Sequence, residues 1–168
     1  NAGIYTMTAG ACVGAKGRVL AVEPNPAVLE RLTFNAKIND FQNRVIIEQA
    51  GISDTAGEFD LALDTTNLGG SSLVEKRSDQ NIRVKCLPLL DVLNKHGIIA
   101  VHGLKIDIEG AEDRALVPFF EQAPATLYPR FIIIEKSDTA WKMDLNGTLI
   151  RAGYKQRLTT RMNHVWEL

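Results

Sequence analysis

The chain has 168 residues, 45% of them hydrophobic, enough to bury one good core and too few for a second full domain, so a single domain is expected. Its 19 basic and 20 acidic residues leave a formal net charge of −1, which excludes a global field able to draw in nucleic acid or an anionic membrane. No apolar run approaches the ~20 residues that cross a bilayer, and no charged-then-apolar opening resembles a signal peptide, so a soluble, cytoplasmic protein is expected.

From Ile4 to Ala15 the residues are small and apolar, with Tyr5 and Met7 among them, which suits a short helix closed at Gly14 or Gly17. The chain opens on Asn1 rather than Met and in mid-pattern, and an N-terminal portion is expected to be missing. Arg18 to Val22 reads as a short buried strand. In the turn Glu23-Pro24-Asn25-Pro26, Asn25 is a good helix cap and Pro26 suits the first helical position. The helix that follows places Val28, Leu29, Leu32, Phe34 and Ile38 to cover a sheet, and Asn39-Asp40 ends it. Arg44 to Gln49 is the next strand.

Beyond Gly51 the texture changes. Gly57 to Leu63 alternates as a half-exposed strand, Asn67 to Ser72 is a glycine-serine loop, and Asn81 to Cys86 is another strand, together an antiparallel insertion or edge. Pro88 to Leu93 makes a short helix ending near Gly97. A charged strand around Asp107, a helix from Ala111 to Gln122 and the apolar strand Phe131 to Ile134 follow. A helix from about Met143 to Ala152 and strands near Tyr154 to Leu158 and Asn163 to Glu167 close the chain. Cys12 and Cys86 stand in no metal-ligand or redox spacing and read as reduced, buried thiols. Strands separated by helices predict an α/β fold, Rossmann-like, with a mainly parallel sheet, helices on both faces and an antiparallel C-terminal edge.

Chemistry concentrates in Leu104 to Glu112, L-K-I-D-I-E-G-A-E, where Leu104, Ile106 and Ile108 alternate with Lys105 and Asp107 until Gly110 breaks the strand period. Ligands of open α/β sheets bind beyond the carboxyl ends of strands, so Asp107, Glu109 and Glu135 are expected on one rim with Glu23 and the Gly51 to Asp54 segment. Glu23 ends a strand about twenty residues after Gly3, where a carboxylate accepts from two ribose hydroxyls. Against this, Asp107 and Glu112 also suit plain helix capping and dipole complementation. His96 and His102 have no companion at metal-ligand spacing, and no metal is expected. Trp141, Tyr154 and Trp166 read as packing residues.

Six segments in order resemble the FkbM family of S-adenosylmethionine-dependent methyltransferases, over nearly the whole chain. Asn1 to Thr6, N-A-G-I-Y-T, is similar to the second half of that family's first motif, and Glu23-Pro24-Asn25-Pro26 to its E-P-N-P turn. Gly51-Ile52-Ser53-Asp54 sits at its A-L-S-D segment. Gly70-Ser71-Ser72-Leu73 resembles its serine loop, Leu87 to Leu93 its short leucine-aspartate helix, and Lys105 to Glu112 its K-I-D-V-E-G-A-E hallmark. The first strand and the Asp and Gly of the first motif would lie before Asn1, which implies a gap in the middle of the sheet.

The resemblance implies methyl transfer from S-adenosylmethionine to an acceptor hydroxyl on a sugar or secondary metabolite. It assigns cofactor contacts to Asn1, Gly3, Glu23, Gly51, Ile52, Ser53 and Asp107. Asp107 and Glu109 are the favoured candidate bases, with Glu135 on the acceptor side a further candidate; Lys105 keeps a carboxylate ionised or orients the acceptor, and Ser71 and Ser72 hydrogen-bond the acceptor or the cofactor. The partner is then a small molecule or glycan, with neither nucleic acid nor membrane, and an exposed sheet edge invites a second copy of the chain. Two other readings stand beside it. Glu23 is equally placed for a nicotinamide dinucleotide in an oxidoreductase, although no hydride-transfer set accompanies it. A non-catalytic Rossmann-like binding module keeps the fold without the chemistry.

Overall fold

The computed structural model describes residues 2–63, 71–73 and 80–168. Asn1, Gly70 and most of the glycine-serine loop lie outside the described residues. The rest falls into two compact units, one formed by residues 2–51, 57–63, 71 and 80–86, the other by 52–56, 72–73 and 87–168.

In the first unit, helix α1 (Ile4–Cys12) starts from Gly3, whose φ of 102° is a conformation that side chains resist. A Cβ there would also meet Leu32 Cδ1 at 2.6 Å, so both backbone and packing demand glycine. Strands β1 (Val19–Val22) and β2 (Val45–Glu48) pair in parallel, Val19 with Val45 through Val22 with Glu48. Helix α2 (Pro26–Ile38) joins them. Its start is local chemistry: Asn25 Oδ1 accepts from the Ala27 N–H at 3.0 Å, and Pro26 occupies the first turn. Ala21, Leu32, Ala36 and Val45 form the core, with Met7, Val19, Phe41 and Ile47 packed on it. Phe34 and Ile38 were expected to cover a sheet and are exposed, at 61% and 60%. The buried stripe runs Val28, Leu32, Ala36 at four-residue spacing, and residues two positions off it point to the opposite side of a 3.6-residue helix. Cys86 is buried as expected, whereas Cys12 is exposed on the last turn of α1.

The two-residue strand β3 (Gly51–Ile52) precedes an antiparallel pair, β4 (Gly57–Ala62) and β5 (Asn81–Leu87), in which Gly57 faces Cys86 and Ala62 faces Asn81. Alternating burial of Val84 and Cys86 on β5 is the two-residue period that the sequence carried.

The second unit contains α3 (Leu89–Lys95), β6 (Gly103–Ile106), α4 (Glu112–Gln122), β7 (Phe131–Glu135), α5 (Leu145–Arg151), β8 (Lys155–Thr159) and β9 (Asn163–Glu167). Its sheet has the order β6-β7-β9-β8. Only β6 and β7 are parallel, Gly103 with Phe131 through Ile106 with Ile134; β9 runs antiparallel to both β7 and β8. The expectation of a mainly parallel sheet is therefore corrected to a mixed α/β fold. The reason is the tight β8–β9 connection, where Thr160 Oγ1 accepts from the N–H groups of Met162 and Asn163 and returns the chain beside β7. The antiparallel C-terminal edge is present as expected. Its outermost strand, β8, is exposed throughout and carries Lys155 and Arg157, side chains that discourage pairing with other strands.

Ile132, Ile134, Leu116, Leu145 and Leu149 are wholly buried in this unit. An aromatic group joins them: Phe120 packs edge-on against Tyr128 at 4.9 Å and Tyr154 at 5.5 Å. The Tyr154 hydroxyl donates to the Pro129 carbonyl at 2.6 Å, and burial raises its pKa well above the usual tyrosine range. Tyr154→Phe strands that carbonyl and is expected to cost about 1 kcal/mol in urea unfolding; an unchanged midpoint would show that the bond contributes nothing. Among the described residues, no helix is long and apolar enough to cross a membrane.

Candidate active site

The acidic cluster is assembled where β6 and β7 end side by side. Strand β6 stops at Ile106, two residues earlier than the alternation of Leu104, Ile106 and Ile108 predicts, so Asp107 lies just beyond the ladder. Parallel register sets Ile106 beside Ile134, and Glu135, the next residue on β7, emerges beside Asp107. The chain then turns sharply through Glu109 at φ 56° and Gly110 at φ 94°. Left-handed backbone costs a glutamate about 1–2 kcal/mol and persists only where the surroundings fix it. Glycine suits position 110 for its φ, and a Cβ there would also crowd Ala140 Cβ at 3.0 Å.

One oxygen from each of Asp107, Glu109 and Glu135 lies within 4.8 Å of the others. Burial, then the charges of Asp107, Glu109 and Glu112, push the Glu135 carboxyl up from 4.5 to about 7. Ser137 Oγ donates to Glu135 Oε2 at 3.2 Å. Lys105 Nζ is 2.8 Å from Asp107 Oδ2 and donates also to the Ile106 carbonyl at 3.2 Å, from a side chain only 14% exposed. Oxygen trios of this kind suit hard divalent cations when all three are ionised. Here Lys105 already compensates Asp107, and Glu135 gains and loses its proton near neutral pH, so proton transfer is a chemistry that these charges support.

Two further carboxylates brace the cluster: Glu112, which from sequence suits dipole complementation at a helix start, and Asp113, which the sequence does not single out. Glu112, fully buried, accepts through Oε1 from the N–H groups of Ile108 at 2.9 Å and Gly110 at 3.4 Å, and through Oε2 from the Trp141 indole at 2.9 Å. Asp113, 1% exposed, accepts through Oδ2 from the N–H groups of Lys142 at 2.7 Å and Met143 at 2.8 Å, and through Oδ1 from that of Arg114. Only the position of Glu112 two residues after Gly110 hinted at such a role. Nothing near Asp113 did.

The other candidates divide between the units. Ser72 is buried in the second unit and its Oγ donates to the Glu109 carbonyl at 3.1 Å, so it supports the cluster through the backbone; Ser71 belongs to the first. Ile52 and Ser53 are buried in the second unit. Ser53 Oγ donates to Asp54 Oδ1 at 3.0 Å, and Arg114 binds the same carboxylate at 2.8 Å and holds it below the usual carboxylate range. Gly3, Glu23 and Gly51 lie in the first unit. Glu23, 8% exposed, follows the last residue of β1 and accepts from the Asn25 N–H at 2.9 Å. Asn25 is 3% exposed, and with its Oδ1 fixed on the Ala27 amide its Nδ2 donor has no hydrogen-bond partner among the described residues. A depression of about 420 Å³ on α2, lined by Ala2, Glu30, Arg31, Phe34 and Asn35, includes none of the catalytic candidates.

The Methyltransferase FkbM domain matches residues 1–158. The chain belongs to the FkbM methyltransferase domain family. A crystal structure of methyltransferase FkbM from Methylobacillus flagellatus KT is similar in fold, with a TM-score of 0.59 and 20% identity over 99% of this chain. The chain spans 41% of that protein's length. No curated protein matches the sequence. Within this FkbM domain the segment Lys105 to Glu112 supplies Asp107 and Glu109 of the cluster, the lysine beside Asp107 and the buried Glu112.

Proposed function

We propose that this FkbM domain transfers a methyl group from S-adenosylmethionine to a hydroxyl of a sugar or secondary metabolite, with Glu135 taking the hydroxyl proton. The observation that carries this reading is the Glu135 carboxyl, raised to about 7 among Asp107 and Glu109. A general base works best with a pKa near the working pH, and an ordinary glutamate is too weak. This shifts the base from Asp107 and Glu109, which the sequence favoured, to Glu135. Lys105 is held on Asp107, which suits it to keep that carboxylate ionised.

The donor supplies an electrophilic methyl carbon on a sulfonium, so the protein's part is alignment and proton removal. Glu23 and Asn25 suit the donor's ribose: a carboxylate and a buried, unpartnered amide donor share one turn at a strand end. Gly3 joins the proposed set through the family resemblance, since Leu32 fills the space that a Cβ would take there. Gly51, Ile52, Ser53 and Asp107 complete the proposed cofactor set, with Ser71 and Ser72 on the acceptor side. The proposed partner is accordingly a small hydroxylated molecule or glycan, handled in the cytoplasm without nucleic acid or membrane.

Calorimetric titration with S-adenosylmethionine and, separately, with NAD tests the assignment. Saturable heat with S-adenosylmethionine alone, weakened in Glu23→Ala, is the expected result. Heat with NAD alone would move the domain to the dinucleotide oxidoreductases, and heat with neither would favour a non-catalytic binding module.

A further inference from the structure

Glu109 adopts a backbone conformation that its own side chain disfavours, and its neighbours show what holds it there. The N–H groups on either side of it, those of Ile108 and Gly110, both point at Glu112 Oε1. A single oxygen accepting from residues 108 and 110 closes the turn around residue 109. The second oxygen of the same carboxylate takes the Trp141 indole N–H and so reaches the connection that follows Glu135 on β7. Ala140, one residue earlier in that connection, holds its Cβ 3.0 Å from where a Cβ on Gly110 would lie. Both chain segments that deliver the acidic cluster are thus tied to one fully buried carboxylate.

We propose that Glu112 is a positioning residue: its Oε1 fixes Glu109 in the left-handed turn, and its Oε2 docks the segment after Glu135, so that the three acidic side chains meet in register. The proposal deepens the methyl-transfer reading and rests on it for its kinetic arm alone. Glu112 touches neither donor nor acceptor in this scheme.

The arrangement has a specific weakness. Three donors face two oxygens, and a glutamine offers only one oxygen, so Glu112→Gln sets an amide N–H against either the loop amides or the indole. Removing the indole donor as well frees the remaining oxygen for Ile108 and Gly110. Glu112→Gln is therefore expected to move the backbone amide resonances of Glu109 and Gly110 and to lower kcat about 10- to 100-fold with KM for S-adenosylmethionine little changed. The double variant Glu112→Gln/Trp141→Phe is expected to bring both back towards the parent. A merely structural role predicts the reverse, since the second substitution removes further packing.

Trp141→Phe alone keeps the carboxylate and covers the case in which Glu112→Gln does not fold. It is expected to move resonances between residues 137 and 143 and leave those of Glu109 and Gly110 in place. Unmoved Glu109 and Gly110 signals in Glu112→Gln, a double variant no better than the single, or displaced Glu109 signals in Trp141→Phe would each overturn the proposal. The expected resonance pattern without detectable methyl transfer would leave Glu112's role intact and remove the reaction instead.

Discussion

Replacing Glu135 with Gln is expected to lower methyl transfer by about 10²- to 10⁴-fold and, at pH 8, to leave the protein as stable as the parent or more so. The two effects have opposite signs for one reason. The carboxyl titrates at about 7 in the folded chain against 4.5 for the free group. Between those values the folded state binds more protons than the unfolded one, so stability falls as pH rises from about 4.5 through about 7 and then levels. The group is partly exposed, and the loss, discounted for solvent screening, is roughly 1 to 2 kcal/mol. Glutamine stays neutral and removes that loss together with the base. Rate and urea midpoint measured on the same variant at pH 5 and pH 8 check both signs. A variant that is inactive and equally destabilised at both pH values would mean that Glu135 is structural. A parent enzyme that works only with an added divalent ion would instead make the three carboxylates ligands.

Asp113→Ala is expected to be the most destabilising of the substitutions considered, at about 3 kcal/mol, because it removes a buried carboxylate that accepts from three backbone N–H groups. Asp113 accepts from Lys142, Met143 and Arg114, and its own exposure is 1%. Asn at the same position keeps an oxygen for the Lys142 and Met143 amides and should lose less. Equal losses for Ala and Asn in denaturant unfolding would assign the effect to packing rather than to the bonds.

Local chemistry was legible and convergence was not. The start of α2 could be read because Asn25 and Pro26 act on residues beside them, and most elements fell within two residues of expectation for the same reason. Phe34 and Ile38 misled because hydrophobicity alone does not give phase; the small Ala36 completes the buried stripe. Sheet direction depended on a hairpin at Thr160 whose consequence is felt at β7, some thirty residues back in the chain. In the candidate site, Asp107 and Glu109 announced themselves by crowding a strand end. The elevated Glu135 emerges only when β6 and β7 lie in register. Glu112 and Asp113 look like ordinary exposed charges at a helix start, and the partners that justify burying them are at positions 141 to 143.

Those two buried carboxylates leave a mark that needs no substrate to detect. The N–H groups of Ile108, Gly110, Lys142 and Met143 belong to no helix or strand, and amides in such places ordinarily trade their hydrogens for deuterium within the mixing time. Each here is bound to an oxygen that solvent does not touch. In heavy water they should persist alongside the amides of β7, a set of slow clocks set in connecting segments, and their release would report the moment at which the bracing beneath the acidic rim lets go.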